Sequence, residues 1–79
     1  MIGNELRLLR KKKKLSQCQL AKELGYGSGQ FVSNIEREVS SFPIKKLKII
    51  KKKYGESAAL NLAFALRVDF HERLRKLGF

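Results

Sequence analysis

The stretch that most constrains the fold is Leu15-Ser16-Gln17-Cys18-Gln19-Leu20-Ala21-Lys22-Glu23-Leu24-Gly25. Ser16 followed three residues later by Gln19 forms a capping box, and Leu15 with Leu20 forms a hydrophobic staple, so a helix begins at Ser16. Its inward stripe is Leu20, Ala21 and Leu24, and Gly25 supplies the left-handed residue that ends it. After the turn Gly25-Tyr26-Gly27-Ser28, Ser28 is placed to cap a second short helix whose inward stripe is Phe31, Val32 and Ile35. Gln30, Ser33, Asn34 and Arg37 are left outside, a polar set with one charge.

The flanking segments also read as helices. From Ile2 to about Lys13, Ile2, Leu6 and Leu9 recur at helical spacing, with Arg7, Lys11 and Lys14 on other faces. After the loop Val39-Ser40-Ser41-Phe42, Pro43 fits the first position of a helix running to Tyr54, with Ile44, Leu47, Ile50 and Tyr54 inward and Gly55 closing it. The segment from Glu56 to about Leu77 contains neither Gly nor Pro and reads as one long helix. Two apolar lines overlap in it. Leu60, Ala63, Phe64 and the stem of Arg67 are expected to face the body. Ala59, Ala63, Leu66, Phe70, Leu74 and Leu77 form a near-heptad line that suggests a partner helix. The expected architecture is all-α, five helices in one domain over residues 1–79, with no internal repeat or linker.

Charge narrows the partner. At 79 residues and a formal net charge of +11, the chain is far more basic than solubility requires, which points to a polyanion: DNA, RNA or an anionic membrane surface. A lone cysteine, Cys18, excludes an internal disulfide framework and a multi-cysteine metal site. No signal peptide is recognisable, and the apolar run Ala58 to Leu66, interrupted by Asn61, is too short to span a bilayer, so a cytoplasmic protein without membrane attachment is expected. With one histidine, one cysteine and no Gly-x-x-x-x-Gly-Lys loop, neither an enzyme nor a cofactor or metal is expected.

Two helices joined through Gly25, with small Ala21 where they approach and branched Val32 packing back, make the helix-turn-helix pattern, here spanning residues 16–37. Leu6-Arg7-x-Leu9-Arg10, Leu15-Ser16-Gln17-x-x-Leu20-Ala21, Gly25 and Val32-Ser33-x-Ile35-Glu36 resemble the lambda-repressor-like (Xre/Cro) helix-turn-helix family, over about Ile2 to Tyr54. The last third of the chain lies outside that motif. The resemblance implies that the first helix of the motif crosses the DNA backbone and the second lies in the major groove. Gly29, Gln30, Ser33, Asn34 and Arg37 then stand where the family reads base edges; Gln and Asn pair bidentately with adenine, and Arg with guanine. Gln17 is placed on phosphate through its side chain or backbone amide, and Ser28, Ser40, Ser41, Lys45 and Lys46 are the other backbone contacts. Arg10 and Glu36 lie where the family resembles a buried ion pair, a structural rather than catalytic feature. Two departures stand out. Many members have a glycine directly after the pair ending the second motif helix, where this chain has Glu38. Gly29 offers no side chain at a reading position, which permits close backbone approach or widens sequence tolerance.

The resemblance implies a transcription regulator, by family default a repressor although small members also activate, bound to double-stranded DNA as a homodimer, because two recognition helices about 34 Å apart reach successive major grooves. Leu66, Phe70, Leu74 and Leu77 are the expected dimer contact. The rival is an antitoxin-like or other interaction module whose last helix docks on a different protein while the motif binds DNA. Non-specific binding through lysines alone is a third reading. Lys11 to Lys14 divide evenly between phosphate contact and a solvated face, and Lys51 to Lys53 read as solvated. Cys18 and His71 read as an inert thiol and a solvated side chain. Phe31, Phe42, Phe64 and Phe70 read as core or interface rather than base-stacking platforms.

Overall fold

Apolar spacing and local stop signals divide the chain much as the sequence suggests. In the computed structural model, which describes residues 1–78, five α-helices run in the order α1 (Ile2–Lys12), α2 (Gln17–Glu23), α3 (Gln30–Glu36), α4 (Leu47–Tyr54) and α5 (Glu56–Lys76), with a short 3-10 turn at Ile44–Lys46 before α4 and no strand among the described residues. Helix α1 packs on α3 and α5, α2 on α3, and α4 on α5. The core is shared by all five: Ile2, Leu6 and Leu9 from α1, Leu20, Ala21 and Leu24 around α2, Val32 and Ile35 from α3, Phe42 from the loop, Ile50 from α4, and Leu62 and Ala65 from α5. Burying a side chain of this kind stabilises by roughly 1.5 to 3 kcal/mol. Ala21 is fully buried, so a larger residue there must push α2 away from its neighbours.

Ser16 caps α2 as its spacing demands. Its hydroxyl accepts from the Gln19 backbone N–H at 3.0 Å, and the Gln19 side chain accepts from the Ser16 N–H at 2.7 Å. At the other end Gly25 adopts φ +89°, which a side chain would resist, and the Tyr26 N–H donates to the Ala21 carbonyl at 2.9 Å, closing the turn.

Four local expectations need correction. Ser28 is exposed and does not cap α3; Gly29 is the N-cap and no side chain satisfies the first amides. Pro43 lies in extended conformation, φ −68° and ψ 126°, ahead of the 3-10 turn instead of inside a helix. As a result Ile44 is turned outward, 75% exposed, while Leu47 and Ile50 face the body. In α5 the body-facing side is Ala58, Leu62, Ala65 and Leu66, whereas Leu60, Phe64 and Arg67 are exposed. The body-facing line continues at helical spacing from Leu62 and Ala65 to Asp69, whose carboxylate accepts from the Ile2 N–H at 3.0 Å. An apolar count alone missed a face that ends on a carboxylate and uses alanines for close approach.

A second carboxylate meets the same helix end. Glu38, directly after α3, has φ +63°, the left-handed conformation that a glycine would adopt without strain. Its side chain accepts from the Gly3 N–H at 2.9 Å. Two of the unpaired amides at the start of α1 are therefore satisfied by Glu38 and Asp69, with negative charge at the positive end of the helix. Gly3 makes this junction possible, since a Cβ there would lie 2.8 Å from the Ile35 and Glu36 carbonyl oxygens.

Candidate nucleic-acid interface

Helix α3 is held from below by one buried carboxylate. The Glu36 side chain is fully covered and accepts four hydrogen bonds: Arg10 Nε to Oε2 at 2.7 Å, and Arg10 Nη2, Arg7 Nε and Gln17 Nε2 to Oε1 at 3.1, 3.3 and 3.3 Å. Arg10 Nη1 also donates to the Leu15 carbonyl at 3.0 Å, so one guanidinium joins α1, the α1–α2 loop and α3. Burial pushes the Glu36 carboxyl up, but the hydrogen bonds from Arg10, Gln17 and Arg7 outweigh it and hold the group below the usual carboxylate range. The same bond to Glu36 raises Arg10 against the opposing effect of its own burial. Both groups are charged at neutral pH.

The start of α3 is seated against the start of α2. A Cβ on Gly29 would lie 3.0 Å from the Cys18 backbone nitrogen and 3.3 Å from its Cα, so a bare backbone at Gly29 sets the helix spacing. Its φ of −70° is ordinary; space, not conformation, selects glycine. The structure thus turns Gly29 toward the protein's own backbone. Gln17 likewise turns its side chain inward to Glu36, which leaves its backbone amide as the group available to a phosphate.

On the outer side of α3, Gln30 and Arg37 are exposed, and Ser33 and Asn34 partly so. Gln30 Nε2 and Arg37 Nη2 each donate to Asn34 Oδ1 at 2.8 Å, linking three of these side chains into one surface network. Ser40, Ser41 and Lys45 are exposed beyond the end of α3, and Ser28 is exposed at the turn before it.

One arrangement escaped the sequence reading. The Tyr26 and Phe31 rings stack with centroids 3.7 Å apart and planes 14° from parallel, bracing the motif turn against α3. Lys46 lies above the Tyr26 ring, its Nζ 5.1 Å from the centroid. Lys46 is therefore half-buried on the turn while Lys45 is free. The i, i+5 spacing of two aromatics across a glycine turn was the available signal for the stack; nothing local announces Lys46. Lys53, read as solvated, pairs with Glu23 at the end of α2.

Away from α3, Ser41, Phe42, Ile44, Leu47, Leu66 and Phe70 contribute to an open apolar groove of about 570 Å³ between the 3-10 turn and α5. Phe70 and Leu77 are 58% and 74% exposed, Leu74 is half-buried, and Leu66 packs partly on the core. Cys18 and His71 are exposed, and no cluster of three or more His, Cys, Asp or Glu side chains suited to a metal occurs among the described residues. No helix among them is long and apolar enough to cross a membrane.

Comparison with known proteins agrees with this geometry. A family model described as Helix-turn-helix matches residues 6–61, taking in all of α2, α3 and α4. No curated protein and no solved structure matches the chain. The match covers well over half of the chain and coincides with the Ser16 cap, the Gly25 turn and the Glu36 anchor: the chain belongs to the lambda-repressor-like (Xre) helix-turn-helix family, whose members are DNA-binding regulators.

Proposed function

We propose that this chain is a sequence-specific transcription regulator that binds duplex DNA as a homodimer, acting as a repressor in the cytoplasm and not as an enzyme. The observation that carries the reading is the outer face of α3, where Gln30, Ser33, Asn34 and Arg37 expose hydrogen-bonding groups on a chain of net charge +11. That face is chemically matched to base edges, while a purely electrostatic binder has no need of it. Exposed Ser28, Ser40, Ser41 and Lys45, with the Gln17 amide and Lys46 at the turn, supply contacts to phosphate.

Dimerisation is supported by the need to read enough bases and by the apolar line on α5, of which Phe70 and Leu77 are exposed. Leu66, Phe70, Leu74 and Leu77, with Ile44 beside them, offer an apolar surface. The same apolar line also favours a second reading, an antitoxin-like module whose α5 docks on another protein.

Selection of bound duplexes from a random pool tests the proposal. A recovered palindrome with half-sites about one helical turn apart supports a sequence-reading homodimer. A single half-site together with a monomeric mass supports the second reading. Recovery of no motif, with equal competition by RNA, refutes both.

A further inference from the structure

The network on α3 assigns different work to its three members. Asn34 Oδ1 accepts from Gln30 Nε2 and from Arg37 Nη2, both at 2.8 Å. A guanidinium has donors only, so the Asn34 atom it meets is the amide oxygen; the Gln30 atom meeting that same oxygen must then be its amide nitrogen. Arg37 thereby fixes the orientation of both amides.

That orientation bears on which residue reads which base. To pair bidentately with adenine, an asparagine must accept from the base N6 amino group with its oxygen while its nitrogen donates to N7. Two protein donors already occupy the Asn34 oxygen. Gln30, in contrast, keeps Oε1 and the second Nε2 hydrogen, the acceptor and donor that adenine requires. Arg37 keeps Nη1, Nε and one Nη2 hydrogen, sufficient for guanine O6 and N7. Gln30 and Arg37 are seven residues apart, close to two turns and about 10 Å along the axis, so they face base pairs a few steps apart.

We propose that Asn34 is a positioning residue, which orients Gln30 toward adenine and Arg37 toward guanine instead of reading a base edge itself. Side chains held in the reading rotamer lose less freedom on binding, which sharpens discrimination without new contacts. The inference rests on the proposal that α3 reads bases in duplex DNA.

The test uses the full chain and its selected duplex, with each base pair of the half-site varied singly and affinities expressed relative to random duplex. Gln30→Ala is expected to abolish discrimination at one base pair, an adenine, and Arg37→Ala at another, a guanine, each by roughly 5- to 150-fold. Asn34→Ala is expected to weaken discrimination at both of those base pairs and at no third one. Asn34→Asp retains an acceptor for both neighbours and is expected to restore discrimination at both, with lower overall affinity from the added negative charge. A merely structural role in folding would not produce that pattern. If Asn34→Ala instead erases an adenine preference at a third base pair, or if Asn34→Asp discriminates no better than Asn34→Ala, the positioning role is overturned while sequence reading stands. If the wild-type chain selects no motif, sequence reading itself fails and the inference falls with it.

Discussion

Replacing Arg10 by methionine removes the donor that does most to neutralise a fully covered carboxylate. In the native chain Arg10 gives Glu36 its shortest hydrogen bond, at 2.7 Å, and a second at 3.1 Å, and its own side chain is only 14% exposed. In Arg10→Met, Glu36 keeps Arg7 and Gln17, both at 3.3 Å, but Arg7 is half exposed and its attraction is screened by water. Stranding one partner of a buried pair costs about 3 to 5 kcal/mol; the surviving donors place this case near 3. The Leu15 carbonyl also loses its Arg10 donor, which adds about 1 kcal/mol at most. Against a total stability of roughly 4 to 12 kcal/mol for a chain of this size, the variant is severely weakened. Urea unfolding followed by circular dichroism is expected to show the midpoint falling by about 3 M, given a slope near 1 kcal/mol per molar for a small domain. Arg10→Met combined with Glu36→Leu removes both charges and is expected to cost under about 2 kcal/mol, far less than the sum of the two single losses. A single-variant loss below about 1 kcal/mol, or a double variant equal to the sum of the singles, would refute the account of Glu36 as a charge that depends on Arg10.

Acid sensitivity has the same source. Because the folded Glu36 carboxyl titrates below its ordinary value of 4.5, its contribution to stability is present above that pH and is lost as pH falls through the lower folded value; Glu36→Gln is expected to flatten the stability profile of the native chain below pH 4.5 in urea titrations. Glu38→Ala keeps the left-handed strain and loses the Gly3 cap, costing about 1 to 2 kcal/mol, whereas Glu38→Gly relieves the strain and stays within about 0.5 kcal/mol of the parent; equal thermal midpoints for the two variants would contradict this. Gly29→Ala pushes a methyl against the Cys18 backbone and is expected to lower stability by about 1 to 3 kcal/mol and weaken DNA binding, as measured by thermal melting and fluorescence anisotropy. Phe70→Glu is expected to leave the helical spectrum intact and to halve the mass seen by light scattering, and an unchanged dimer would rule out α5 as the contact.

What could be read in advance was set by neighbours in sequence. Ser16 and Gln19 satisfy each other's backbone within one turn, and Gly25 ends α2 through its own φ, so both were visible as residue types at fixed spacing. The side of α5 that faces the body was not, because Asp69 reaches a helix end 67 residues earlier. Ile44 looked like the first inward residue of a helix, yet Pro43 delays the helix by a 3-10 turn and rotates Ile44 outward. The residues of the α3 face were legible as a polar set. Their division of labour was not, since it depends on which lone pairs the neighbouring side chains already occupy. Glu38 stood out as a departure from the family pattern, and only the position of Gly3 shows what the side chain does there.

The pair of carboxylates at the start of α1 also orders events during synthesis. Helix α1 is synthesised before the groups that satisfy its free amides, which lie 35 and 67 residues downstream. Until Asp69 has emerged, α1 lacks one cap and the core lacks Leu62 and Ala65, so a nascent chain that already carries all of α3 is still incompletely packed. Non-local contacts of this span are formed late and slow the folding step that completes them. A chain cut before α5 lacks Asp69, Leu62 and Ala65 together, so α5 completes both the capping of α1 and the core on which α3 is seated.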